Sequence, residues 1–387
     1  MIQPCIDKPW RSSKTVCRNG VPVTQSCSSH FKVDRMSQAH MPLPYRDDVE
    51  TIPHDEADDI QTVMRYLREF LNNTQLKTHE FRADVHVKTH GYARAELRVL
   101  PNLPDELAQG LFEREGAFQA VVRFSNASSQ IQPDAVPDGR GMAIKVYDVT
   151  GEMLQVDGTG GPTQDFVMIN HPVFFARNVK DYLRLEKIIA ESDENLLSAA
   201  QQTITAGNWN PFYWHWHEML TAAAIVGKLP AHPASQTYYT MSPIRFGNYV
   251  AKCRVKPIDD VQTTYFDLIT KLATESDAMR LVLEETLKNQ ELAFEFQVQL
   301  RTSEQTMPIE DPTISWPESE SPYRTVGQLS LPRQDISPLR SQDAFKTLAF
   351  NVWHALAAHR PLGGINRVRR YAYQTSANWR RQQSVDT

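Results

Sequence analysis

The chain has 387 residues, 41 % of them hydrophobic, and a formal net charge of -5. That length and apolar content supply a sizeable core, and the slight acidic balance argues against nucleic acid as a partner. No apolar run reaches the roughly 18 residues of a membrane-spanning helix, and no basic patch followed by an apolar stretch marks a secretory leader.

Residues 1–45 are polar, lack sustained periodicity and end in Met41-Pro-Leu-Pro44, which predicts a flexible N-terminal arm. From Asp55 to Leu71, apolar side chains at Ile60, Val63, Met64, Leu67, Phe70 and Leu71 recur every three or four positions, the pattern of an amphipathic helix. Short β-like runs follow at Ala95–Leu100, Gln119–Phe124, Gly141–Tyr147 and Asp165–Asn170, separated by turn signals such as Asp138-Gly139 and Gly160-Gly161-Pro162. Helical stretches are predicted over Val179–Gln201 and Val261–Lys288, then a strand over Ala293–Leu300, where Phe294, Phe296, Val298 and Leu300 alternate with polar partners. The order of elements predicts an α+β protein with a large antiparallel sheet or barrel. Cys5, Cys17, Cys27 and Cys253 have no Cys-x-x-Cys spacing and read as unpaired thiols, which with the missing leader predicts a cytoplasmic location.

Five segments carry residues suited to chemistry. His86 and His90 lie four apart in Val85-His86-Val87-Lys88-Thr89-His90-Gly91. A histidine neutral near pH 7 serves as a proton shuttle, two at this spacing on a helix serve a metal, and both also occur as plain surface residues. On a strand, Arg123 and Ser125 share one face and Val122 and Phe124 the other. An inward arginine and serine need partners, such as an anionic ligand group and an imidazole N–H; an edge strand with Arg123 in water is the alternative. Between Asp134 and Tyr147, Asp138 and Arg140 are placed to pair across a turn. Asn170 follows an apolar strand and precedes His171-Pro172, a place suited to aiming an amide beyond the strand end or to forming a turn. In the basic tail, Arg369, Tyr373 and Arg380 fall on one helix face. A guanidinium beside a phenol favours the phenolate, a hard ligand for ferric iron. Arg367 stands four before Tyr371 in the same way, so Tyr371 competes. His215 and His217 in Trp214-His-Trp-His read as a packing segment rather than a metal site.

Taken in order, these blocks resemble haem catalases over roughly residues 45–380, with Pro361-Leu-Gly-Gly-Ile-Asn-Arg and Gln297-Val-Gln-Leu closer to the small catalase-related haem proteins. The resemblance implies a catalase-like antiparallel β-barrel with surrounding helices, occupying about 80–300 of a haem domain at 46–387. A wrapping segment and proximal helix are placed at about 301–387, without the C-terminal helical domain of full catalases or the nucleotide site some of them carry. It implies haem b as cofactor, His86 and Asn170 as catalytic residues, and Arg123, Ser125, Arg369 and Arg380 around the haem, with Tyr373 as the axial iron ligand. Only Tyr373 keeps both arginine spacings. Where the family usually has an arginine three before the distal histidine, this chain has Ala83, with Arg82 one earlier. The implied activity is decomposition of hydrogen peroxide or organic peroxides through a ferryl intermediate, with an organic electron donor as co-substrate in the peroxidase case. The competing readings are an enzyme rearranging fatty-acid hydroperoxides and a noncatalytic haem-binding barrel. A homo-oligomer is compatible with all three.

Overall fold

The computed structural model describes residues 41–78, 86–128, 131–154, 161–191, 220–221, 223–225, 227–258, 261, 265–339 and 348–383, a few of them by backbone alone. The arm before residue 41, Arg82, Ala83, the segment 214–217 and the stretch 192–201 lie outside the described residues.

Nine strands are present among the described residues: β1 Thr89–Val99, β2 Gly116–Asn126, β3 Arg140–Val146, β4 Gln164–Ile169, β5 Tyr238–Tyr239, β6 Ile244–Phe246, β7 Tyr249–Pro257, β8 Leu292–Leu300 and β9 Arg324–Leu331. All pair antiparallel. The first five follow one another, β5 joins β7, and β8 and β9 lead back to β1, so eight strands close a barrel. The edge of β7 that takes β5 at Arg254 and Val255 takes β6 nearer its start, at Tyr249 to Ala251.

Alternation decides what fills the barrel. Ala93, Ala95, Leu97 and Val99 of β1, Val122 and Phe124 of β2, Met142, Ile144 and Val146 of β3, Phe166 and Met168 of β4, and Phe294, Phe296 and Val298 of β8 are buried in one cluster. Phe166 and Phe112 pack against Phe296 with ring centroids 4.8 and 5.2 Å apart. Burying each large apolar side chain contributes about 1.5–3 kcal/mol.

The strand predictions at Gln119–Phe124, Gly141–Tyr147, Asp165–Asn170 and Ala293–Leu300 meet β2, β3, β4 and β8 within a few residues. The run at Ala95–Leu100 is only the second half of β1, which begins at Thr89. The barrel does not end near residue 300: β9, at Arg324–Leu331, pairs with both β1 and β8. The first helix, α1, spans Glu56–Thr78, and α2 spans Val179–Glu191. The stretch predicted as one helix over Val261–Lys288 is two, α3 Tyr265–Thr274 and α4 Ala278–Asn289. The chain breaks between them because the Ser276 carbonyl is drawn away to accept from Lys88 Nζ at 2.7 Å and from the Asp134 amide at 2.9 Å.

The last helix, α5, runs from Gly364 to Gln383. Its first backbone N–H groups have no intrahelical acceptor, and glutamates from elsewhere supply one. Glu50 accepts from Gly363 N at 2.7 Å and Glu310 from Gly364 N at 2.8 Å. Gly363 has φ +85, a conformation glycine adopts without strain, and an added Cβ would lie 2.6 Å from the Ile309 carbonyl oxygen. Arg367, one turn on, pairs with Glu50, Glu56 and Glu310 at 2.5, 2.5 and 2.9 Å. Further along, Val368 joins Ile60, Val63, Met64, Leu67, Leu71 and Val179 in an apolar cluster that binds α5 to α1 and α2.

Candidate active site

The site lies on the outer face of β2, β3 and β4. Antiparallel register places side chains there in cross-strand rows: Ser125, Gly141 and Ile169; then Arg123, Ala143 and Val167; then Val121, Lys145 and Asp165. Every residue of β3 is buried, so its outer face is covered as well as its inner one.

His86 covers the first row. Its backbone is left-handed, φ 57, a strained state for a residue without glycine's freedom. Two backbone contacts hold it: its N–H donates to the Ala127 carbonyl at 3.2 Å, and its carbonyl accepts from Arg123 at 2.5 Å. The ring nitrogen Nδ1 is 3.1 Å from Ser125 Oγ. A Cβ on Gly141 would sit 2.5 Å from that Nδ1 and 2.8 Å from Ser125 Oγ, so glycine is what lets the imidazole lie on the strand. Burial, with the charges of Arg123 and then Arg369 as further causes, holds the His86 imidazole down to about 3. It is therefore neutral at pH 7, the form that can take a proton. Arg123 also donates to Thr89 Oγ1 from Nε at 3.0 Å, so its guanidinium braces the segment that shapes His86.

Asn170 extends β4 as a mimic of a strand residue. Its N–H donates to the Arg140 carbonyl and its Oδ1 accepts from the Arg140 N–H, both at 2.9 Å. Its Nδ2 donates to Gln236 Oε1 at 2.5 Å, and Lys228 Nζ bonds its carbonyl. An amide nitrogen carries two hydrogens, so one donor remains after Gln236.

Helix α5 also reaches this sheet. Arg369 donates to Tyr373 Oη at 3.1 Å, to Asn366 Oδ1 at 3.2 Å and to the Val167 carbonyl at 3.4 Å. The arginine thus reaches the row beside the one that His86 covers. Tyr373 is half-buried, whereas Tyr371 is 44 % exposed. Arg367, its candidate partner, is occupied by three glutamates. Arg380 is on α5, with its side chain outside the described residues.

Behind the first histidine sits a buried polar knot. Lys88 Nζ lies 2.7 Å from Asp134, which also accepts from the Met279 N–H at 2.8 Å. His90 is no metal partner of His86: its Nε2 is 2.7 Å from Asn126 Oδ1, and Nδ1 faces Asp134 at 3.9 Å. No group of metal-ligating side chains occurs among the described residues. Asp138 and Arg140 do approach across their turn, at 3.8 Å. Sequence reasoning passed over Gly141, Thr89 and Gln236. A glycine inside an apolar strand is a signal of close approach; nothing local marks the other two.

The family model for catalase matches residues 81–346. The chain belongs to the catalase family. Its fold agrees: a fungal catalase superposes with a TM-score of 0.59 at 17 % identity, over 80 % of this chain and 61 % of that one. Catalase A from Saccharomyces cerevisiae gives 0.56 at 17 %, over 87 % and 67 %. Among curated relatives, a catalase of Alkalihalophilus pseudofirmus is 26 % identical over 231 residues, 55 % of this chain and 32 % of its own. Catalase-2 of Bacillus subtilis is 26 % identical over the same length, 31 % of its own. The match therefore spans about a third of these relatives. Arg369 and Tyr373 fall after the stretch the family model matches.

The residues present fit a haem in their donor set. They offer a phenol oxygen bonded to a guanidinium and a buried neutral imidazole bonded to a serine. No helix among the described residues is long and apolar enough to cross a membrane.

Proposed function

We propose that this catalase-family protein is a haem-dependent catalase or peroxidase, acting on hydrogen peroxide or organic peroxides. The observation that carries the reading is that His86 bonds Ser125 on the outer face of β2–β4, and Arg369, which bonds Tyr373, reaches the Val167 carbonyl of the same sheet. Bound haem b would supply the two-electron redox chemistry that O–O cleavage requires. Tyr373 would hold its iron, and Arg369, at 3.1 Å, places positive charge where it stabilises a phenolate. Neutral His86 would take one proton from bound peroxide and return it to the other peroxide oxygen. Ser125 fixes the ring orientation through Nδ1. Asn170 donates its remaining amide hydrogen to peroxide, with the other hydrogen held by Gln236. Arg123 acts on the same step by fixing the His86 backbone.

Reconstitution with haem b followed by hydrogen peroxide, with and without a chromogenic phenol, tests the proposal. Oxygen release or phenol oxidation is the expected result, lost in His86→Ala while haem is retained. A haem-loaded protein that consumes no peroxide would overturn it.

A further inference from the structure

A second site lies further round the outer face of the barrel, on β5, β7 and β8. Lys252 of β7 stands opposite Gln299 of β8 on the outer face and is 2 % exposed. Its Nζ donates to the Ile314 carbonyl at 3.1 Å and lies 5.1 Å from the centre of the Trp316 ring. No carboxylate of the described residues is within ion-pair distance; Asp311 is the acidic group whose charge it feels. The carboxamide of Gln299 gives its hydrogens to the Trp316 and Ser321 carbonyls at 3.2 and 2.8 Å. An ammonium carries three donors, and a buried one without a counter-ion is costly.

The ammonium lines a cavity of about 90 Å³, together with Tyr239, Tyr323, Trp316 and Ser315. Glu318 at its rim is neutralised by Arg254 at 2.9 Å. That volume admits a few heavy atoms. The aromatic walls suit a flat group, and phenol or serine hydroxyls can donate to its second oxygen.

We propose that this cavity binds a small monocarboxylate of the size of acetate, with Lys252 as its counter-ion. A carboxylate satisfies the donors left open on Nζ, lies flat between the rings, and loses less hydration than a phosphate on entering. The site shares no residue with the peroxide-processing one.

Its signature is linkage to protons. Burial draws the Lys252 amine down to about 7, so carboxylate binding must take up a proton where the free amine is neutral. The other charged and titratable groups facing it are Asp311, Glu318 with Arg254, Tyr239 and Tyr323. Burial pushes both phenols up, so they keep their protons near neutrality, and ordinary carboxylates titrate well below that range.

Isothermal titration of the whole protein with acetate, at about pH 6 and pH 8, reads this directly. Affinity should fall about tenfold at the higher pH, with proton uptake shown by the dependence of the heat on the buffer. Lys252→Met should abolish binding, and Lys252→Arg should retain it and remove the pH dependence. Phosphate and chloride serve as comparison anions. No acetate binding, binding undiminished in Lys252→Met, or phosphate held more tightly than acetate would each overturn the proposal. None of these readouts depends on haem or on peroxide turnover.

Discussion

Gly141→Ala tests the proposed role of His86 without replacing it. The added Cβ falls 2.5 Å from His86 Nδ1, 2.7 Å from Cε1 and 2.8 Å from Ser125 Oγ. Ordinary contact needs about 3.5 Å, so the ring must retreat by roughly 1 Å. Its left-handed loop, fixed by the Ala127 carbonyl and Arg123, is the part that can give. Overpacking of this kind costs about 1–3 kcal/mol of stability, small against folding of the barrel. A misplacement of about 1 Å at a reacting group costs on the order of a hundredfold in rate. Stopped-flow consumption of peroxide by haem-loaded variant and wild type measures it, with haem content as the control for folding. The same substitution in a His86→Ala background should cost almost nothing more, since the ring it displaces is gone. A rate within about twofold of wild type, or an equal further loss in the His86→Ala background, would refute action through the imidazole.

Tyr373→Phe should remove the absorption bands of tyrosinate-ligated ferric haem while Tyr371→Phe leaves them, as the exposed position of Tyr371 implies; the opposite pattern in visible spectra would transfer the ligand role. Burial holds His86 to about 3 and His90, His232 and His359 to about 4. Unfolding frees all four to bind protons below about 6.5, so their stabilisation is full above that pH and is lost as pH falls toward 4, at a slope of up to about 5 kcal/mol per pH unit. Melting curves between about pH 7 and pH 4.5 should show a steep drop, and an unchanged midpoint down to pH 5 would contradict the burial of these rings. Arg367→Gln leaves Glu56, 5 % exposed at its side chain, without its guanidinium partner, while Glu50 keeps Arg360 and Glu310 keeps the Gly364 N–H. Loss of such a partner costs about 3–5 kcal/mol, measurable by denaturant titration, and a variant as stable as wild type would show the cluster to be solvated.

Much of this was legible because β-strands with one face in a barrel announce themselves. Phe294, Phe296 and Val298 alternate, and they point into the core. The order of the candidate residues likewise needed only local motifs. What escaped the sequence were effects set by distant partners. The break between α3 and α4 follows from Lys88 and Asp134 claiming the Ser276 carbonyl, 188 residues along the chain from Lys88. Arg367 looked like a partner for Tyr371 because helical spacing was the only information; its three glutamates come from positions 50, 56 and 310. The left-handed backbone of His86 has no residue signature at all, since histidine rarely adopts it. The strand β9 was read as wrapping chain because its pairing with β1 joins residues over two hundred positions apart.

Closure of the barrel depends on its shortest strand. β5 contributes two residues, with one bridge to β4 at Ile169 and two to β7 at Val255 and Arg254. Elsewhere, β1 and β2 are matched along ten pairs. Thr240 adds a stitch: its N–H donates to the Cys253 carbonyl at 3.0 Å, and its Oγ1 accepts from the Cys253 N–H at 3.1 Å. Local opening costs least where the fewest hydrogen bonds must break together. In hydrogen–deuterium exchange the amides of 238–240 should therefore lose protection well before those of β1, β2 and β8. The cylinder would breathe along this one seam, unzipping into a curved open sheet whose first free edges are β4 and β7.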